Sequence, residues 1–240
     1  MLTSALREYV ILSSYTRFDI GNTRIGAFDL DDIAPRGGEV AEKQTALMYM
    51  LVRSVMARKF YSNDEMLRHI PERYRHYHRQ QVQMLRETPK RLVYDEFHRT
   101  KASHMVRNQV LMDMREGRKW GIQITLASQL LDDFDKDMVD LATGIWVLGT
   151  GNIQVAQAVT ERFGLSDAAS TVIAEKLTGP TAEGAPVLVS LALKETRYEQ
   201  LIYNSLGPVE LWAFSTTAVD VVLRSRLYER VGGKNARKIL

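Results

Sequence analysis

Arg91–Phe97 reads RLVYDEF: one basic residue, three apolar or aromatic ones, two acids and a phenylalanine. A run this short and apolar has the length of a buried strand, and its acids fall at the carboxyl end. In open α/β sheets that end is where ligands bind. The flanking sequence agrees. A helical period runs from about Lys101 to Lys119, with Val106, Val110 and Met114 at i, i+4 spacing, and Gly121 breaks it. Ile122–Ala127 then reads as a second strand ending in Ser128–Gln129, and Gly144–Gly149 (GIWVLG) as a third. Strands separated by helices of this length predict βαβ units and a parallel sheet.

Upstream, Arg24–Leu30 (RIGAFDL) is an apolar run expected as a strand, broken by Asp31, Asp32, Pro35 and Gly37–Gly38. From Glu39 to about Phe60 the period is helical. Leu47, Leu51 and Val55 form one stripe and Met48, Val52 and Met56 a second, the pattern of a helix buried on more than one side. Met66–Arg91 differs, with seven Lys/Arg against two Glu, and all five histidines lie in it or just after it. Pro71 is placed to open a helix running to about Glu87, and Pro89 to stop it.

Beyond Asn152 the pattern predicts helices at about 152–163 and 166–177, separated by Gly164. Pro186–Lys194 and Tyr198–Tyr203 then read as a hairpin. A last helix is expected after a Thr217-x-x-Asp220 capping box, ending at Gly232–Gly233. The organisation is one α/β segment over 1–240. It comprises a sheet core at 24–149, a basic helical insertion at 61–90, and helices, hairpin and terminal helix at 152–240.

Composition narrows the chemistry. The 240 residues carry 32 Lys+Arg against 29 Asp+Glu and no cysteine. That excludes a disulfide framework, a thiolate zinc site, an iron–sulfur cluster and a cysteine nucleophile. No apolar run reaches the roughly 18–20 residues of a membrane helix, and Arg7 and Glu8 interrupt the opening segment. The expectation is a cytosolic globular protein that can still dock on a membrane assembly. His76 and His78 stand at i, i+2 and do not face each other on a helix. Asp133-x-Asp135-x-Asp137 imitates a calcium loop, but Met138 stands where glycine is required. The basic stretch reads first as an exposed amphipathic helix or subunit contact and second as a nucleic-acid contact.

The working groups left are carboxylates, arginines and an amide. In nucleotide hydrolases an acid at a strand end holds Mg²⁺ through water and a second polarises the attacking water, the order that Asp95 and Glu96 offer. Gln129, at the tip of the next strand, is suited to orient water or sense a γ-phosphate. Arg115, Arg118 and Lys119 cluster in MREGRKWG at a helix end. There they either complement the helix dipole or present an arginine finger across a subunit interface.

RLVYDEFHRT, EGRKWGIQITLASQLLDDF and GPVELWAFSTTAVDVVLRSRLY together resemble the motor ATPases of type IV secretion and conjugation. The likeness is strongest to the type IVB, Dot/Icm branch (IcmB/DotO-like) and its IncI-plasmid relatives, and runs over most of the chain from RFDIGNTRIGAFDLDDIAP onward. The resemblance implies a RecA-like, P-loop NTPase-type fold with a mostly parallel sheet and flanking helices. It implies ATP and Mg²⁺ as cofactors, with Asp95 as the Walker B acid and metal ligand and Glu96 as the catalytic glutamate. It further implies Gln129 as γ-phosphate sensor and Arg118, then Arg115, as the finger acting in trans. Partners implied are copies of itself in a ring, other secretion ATPases and inner-membrane components, at the cytoplasmic face of the bacterial inner membrane.

One departure is large. Such motors need G-x-x-x-x-G-K-S/T, whose amides and lysine cradle the phosphates. Gly21–Gly26, Gly144–Gly149 and Gly179–Gly184 have the glycine spacing but continue Ala-Phe, Thr-Gly and Ala-Pro. The expectation is therefore the C-terminal segment of a longer motor, inactive alone, with an incomplete sheet whose exposed edge invites dimerisation, aggregation or a rearranged strand order. Two alternatives stand beside an energy-coupling ATPase. One is a DNA translocase or coupling protein of the same superfamily, and the other a non-catalytic docking module of the apparatus.

Overall fold

In a computed structural model, residues 23–29, 38–101, 103–149 and 152–239 are described, and the chain divides into two units, Met1–Leu141 and Ala142–Leu240. In the first unit, helix α1 (Glu39–Ala57) runs on into a 3₁₀ turn at Arg58–Tyr61. Both its stripes are at least half-buried, with Met48 and the terminal Ala57 fully so. Helix α2 (Glu72–Glu87) starts at Pro71, as the missing proline N–H allows. It ends where the Thr88 N–H and hydroxyl both bond the Met84 carbonyl, just ahead of Pro89.

Strand β1 (Lys90–Tyr94) follows, then α3 (His104–Trp120) and β2 (Ile122–Leu126). Ser103 caps α3 by accepting the Val106 N–H, and Gly121 ends it in the left-handed conformation. The two strands pair in parallel from Lys90↔Ile122 to Tyr94↔Leu126. This is the expected βαβ unit. Leu92, Tyr94, Phe97, Val106, Val110, Ile122 and Met138, the last from the short α4 (Lys136–Leu141), form its core with Ala57. The opposite side of the sheet is open: Arg91, Val93, Gln123 and Thr125 are all exposed, Val93 at 61%.

Two features lock α3 in place. Asp113, buried, accepts from Arg53 Nε at 2.7 Å and Nη2, from the Tyr61 hydroxyl at 2.8 Å and from Gln109 Nε2 at 3.1 Å, which ties α1 to α3. Its hydrogen bonds hold Arg53 more firmly protonated than usual, against the opposing effect of burial. Burial, reinforced by the bond to Asp113, pushes the Tyr61 hydroxyl up to about 12. The second feature is Gly117, where a Cβ would stand 2.7 Å from the Ile122 carbonyl oxygen. We expect Gly117→Ala to lower stability by about 1–2 kcal/mol, because a clash with backbone outweighs the gain in helix propensity. An unchanged urea midpoint would contradict it.

Two expectations change here. Residues 23–29 form no strand and are exposed apart from Phe28, while Leu30 lies outside the described residues. An apolar run alone does not supply a partner strand. Gly144–Gly149 does give a strand, β3 (Gly144–Val147), but not a third parallel one. It pairs antiparallel with β4 (Ala185–Ala192), which pairs antiparallel with β5 (Arg197–Asn204), in the order β3-β4-β5 within the second unit. Periodicity identifies a strand; it carries no information on partner or direction.

The β4–β5 pair is the expected hairpin. Gly184, at φ 126°, brings its backbone so close that a Cβ would lie 2.8 Å from the Asn204 carbonyl oxygen. Helices α5 (Ile153–Phe163) and α6 (Asp167–Lys176) are capped by Asn152 and Ser166 and separated by a left-handed Gly164. Then come α7 (Pro208–Phe214), α8 (Ala218–Val231) and α9 (Gly233–Ile239), so a further helix follows the predicted last one. The capping box at α8 takes another form: the Thr217 and Ser215 hydroxyls donate to Asp220 at 2.7 and 2.5 Å, and Thr217 caps no backbone N–H. Those two bonds lower the Asp220 pKa.

Candidate carboxylate site at the strand ends

β1 stops at Tyr94 because the chain turns sharply. Ala127 N–H donates to the Tyr94 carbonyl at 2.9 Å, and Phe97 N–H donates back to the Ala127 carbonyl at 2.8 Å. The Phe97 side chain is wholly buried, stacked on Phe134 with ring centres 6.3 Å apart, edge-on to Tyr94, and covered by the Arg107 guanidinium. Between these fixed points Glu96 adopts φ 50°, ψ 47°. It is the one non-glycine residue with positive φ among the described residues. The left-handed region costs an L residue about 1–2 kcal/mol, and such strain gathers at functional sites.

The strain has a direct test. Glycine at 96 loses the steric penalty but gains unfolded-state entropy. The balance predicts that Glu96→Gly raises stability by about 0.5–1 kcal/mol. A lowered urea midpoint would mean that the Glu96 side-chain bonds outweigh the backbone strain.

The turn assembles three predicted residues. Asp95 Oδ1 accepts the Glu96 N–H at 2.9 Å. The Glu96 carboxylate accepts from Gln129 Nε2 at 3.2 and 3.4 Å. It also lies 3.1 Å from His98 Nδ1, and both side chains remain open to solvent, 41% and 42% exposed. Gln129 is presented by the loop after β2, where the Ser128 hydroxyl donates to the buried Asp133 carboxylate at 2.5 Å. Arg107 Nη2 donates to the Asp133 carbonyl at 2.7 Å and braces the same loop. Tyr49 comes from α1: burial pushes its hydroxyl pKa up, Arg99 opposes, and the nearby Asp95 and Glu96 charges add to the rise.

The two arginines stand elsewhere. α3 runs back from the carboxyl end of β1 to the amino end of β2, so Arg118, in its last turn, lies about 13 Å of strand from the carboxylates. Arg115 is paired with Asp137 at 2.8 Å. Neither reaches Glu96 within one chain. The apparent calcium run is engaged by other partners too, Asp133 by Ser128, Asp135 by Arg107 and Asp137 by Arg115.

His98, Tyr49 and Asp133 join the surroundings of the site without a role there being legible in the sequence, whereas Ser128 is legible as the strand-end neighbour of Gln129. His98 had a signal, since it follows the acids directly in DEFH; Tyr49 and Asp133 are brought near by packing. Among the described residues no three His, Asp or Glu side chains gather as a metal cage. Mg²⁺ does not need one: it keeps several waters and takes one or two carboxylates plus phosphate oxygens, a donor set that Asp95 beside Glu96 fits. No protein-family model matches the chain, and no curated protein matches it.

Proposed function

We propose that this chain is the carboxylate-bearing part of a RecA-like ATPase motor of the type IVB secretion or conjugation kind. What carries the reading is the Glu96–Gln129 contact at a strained corner where two parallel strands end. It brings together two residues 33 positions apart for which the order in the sequence suggests complementary roles, and that proximity supports the reading.

In this reading Asp95 would hold Mg²⁺ through its water shell, and the ion when bound would supply charge neutralisation for the ATP phosphates. Glu96 orients a water for in-line attack and takes its proton. Gln129 and His98 hold the Glu96 carboxylate until nucleotide arrives, when Gln129 is free to turn toward the γ-phosphate. Arg118 has a role only toward a neighbouring subunit, which fits a ring in which one subunit completes the site of the next. No G-x-x-x-x-G-K-S/T occurs in the 240 residues, so this reading requires a phosphate-binding loop supplied by another segment or another chain. Docking would be at the cytoplasmic face of the inner membrane, beside other secretion ATPases.

The test is ATP hydrolysis by a protein that joins this chain to a segment carrying that loop. Hydrolysis that survives Glu96→Gln at the parent rate would overturn the reading. The open sheet face at Arg91, Val93 and Thr125 favours one other reading, a non-catalytic docking module. It would be preferred if the motor kept its function in the cell with Asp95→Asn and Glu96→Gln combined.

A further inference from the structure

The first half of α2, Glu72–Gln81, reads ERYRHYHRQQ and holds no aliphatic residue. All of it is exposed except His78 and Gln81, which are half-buried, and Tyr74 and Tyr77 are 48% and 59% exposed. Between Phe60 and Pro89 every basic side chain other than histidine is an arginine. Two of these serve the fold: Arg75 donates to the Ile70 carbonyl at 2.9 Å and Arg86 pairs with Asp64 at 2.9 Å. Arg68, Arg73 and Arg79 have no carboxylate partner among the described residues, and Arg73 lies over the Tyr74 ring at 4.6 Å. Helical spacing sets Arg73, His76, Tyr77 and Gln80 on one face, with Arg79 beside His76.

We propose that the exposed side of this helix binds single-stranded nucleic acid, with Tyr77 stacked on a base, Arg73 on a phosphate beside it, and Arg79, across the exposed surface from Tyr77, on a second phosphate. The residue types select the ligand. Arginine forks match phosphate oxygens, and an exposed aromatic ring offers any unpaired base a stacking surface. A helix that lies on a membrane needs a broad apolar face, and one that docks in a protein groove needs apolar anchors at i, i+3, i+4 and i+7. Glu72–Gln81 has neither. The inference stands whether or not the carboxylate site hydrolyses ATP, since the two use different residues.

The experiment is fluorescence anisotropy of the full chain with a labelled oligothymidylate of about 20 nucleotides at roughly 50 mM salt. Binding should weaken with salt. Arg73→Glu with Arg79→Glu should weaken it at least about tenfold and flatten the log–log salt slope by about 1.4, two phosphate contacts' worth. Tyr77→Ala should weaken it about 5- to 150-fold, while Arg230→Glu, an exposed arginine on α8, leaves it unchanged. Circular dichroism of each variant checks that the fold is kept, and an oligouridylate run in parallel separates an RNA source from a DNA source. No binding at low salt, or binding indifferent to either α2 variant, overturns the proposal. So does equal competition by polyglutamate or by vesicles of phosphatidylglycerol, which would point to an acidic protein or a membrane instead.

Discussion

In an ATP-competent protein containing this chain, Glu96→Gln should lower kcat about 100- to 10,000-fold, the range for loss of a positioned general base, the role proposed for Glu96. Nucleotide affinity should stay near the parent value, because in that role the carboxylate does not hold ATP. Glutamine has the size and backbone tolerance to occupy the same left-handed position, and its side-chain oxygen can still accept from Gln129 Nε2, 3.2 Å away in the parent. The change therefore isolates the proton-accepting role from the structural one, and the urea midpoint should not move. Single-turnover hydrolysis measured beside equilibrium nucleotide binding separates these outcomes. A fall in affinity with unchanged kcat would assign Glu96 to binding and remove it from the chemistry.

Phe97→Ala should cost about 3–5 kcal/mol, the range for truncating a fully buried phenylalanine. Its ring meets Phe134, Tyr94 and Arg107, so truncation opens a cavity among contacts from three separate elements. It also frees the corner. With nothing drawing residue 97 inward, Glu96 has less reason to remain in the left-handed conformation, and the approach of Glu96 to Gln129 should loosen. Phe97→Leu keeps most of the volume and should lose no more than about 1.5 kcal/mol. Equal urea midpoints for Phe97→Ala and the parent chain would mean that this core cluster does not support the site.

The sequence was most informative where local rules are strong. Pro71 and Pro89 bracket α2, Gly121 and Gly164 end α3 and α5, and the Pro186–Tyr203 stretch reads as a hairpin; each prediction rests on backbone chemistry within a few residues. It failed at residues 24–29, which are irregular, and at GIWVLG, whose pairing is antiparallel in the second unit. Both failures concern strands, whose hydrogen-bond partners lie far away in the chain. The capping box at Thr217 failed for a different reason. Ser215 supplied a second hydroxyl that competes for Asp220.

The site divides in the same way. The acids at the end of β1 and the Ser-Gln at the end of β2 are a property of the sequence, because strand length and polarity set them there. Their meeting is a property of the tertiary structure. Parallel pairing in the register Tyr94↔Leu126 brings the two strand ends together, and the burial of Phe97 bends the chain so that Glu96 turns toward Gln129. The placement of Arg118 at the far end of α3 was decided there too, since a crossover helix must return to the start of the next strand. Residue types and local turns are written in the chain. Which side chains converge depends on long-range pairing and on one buried ring.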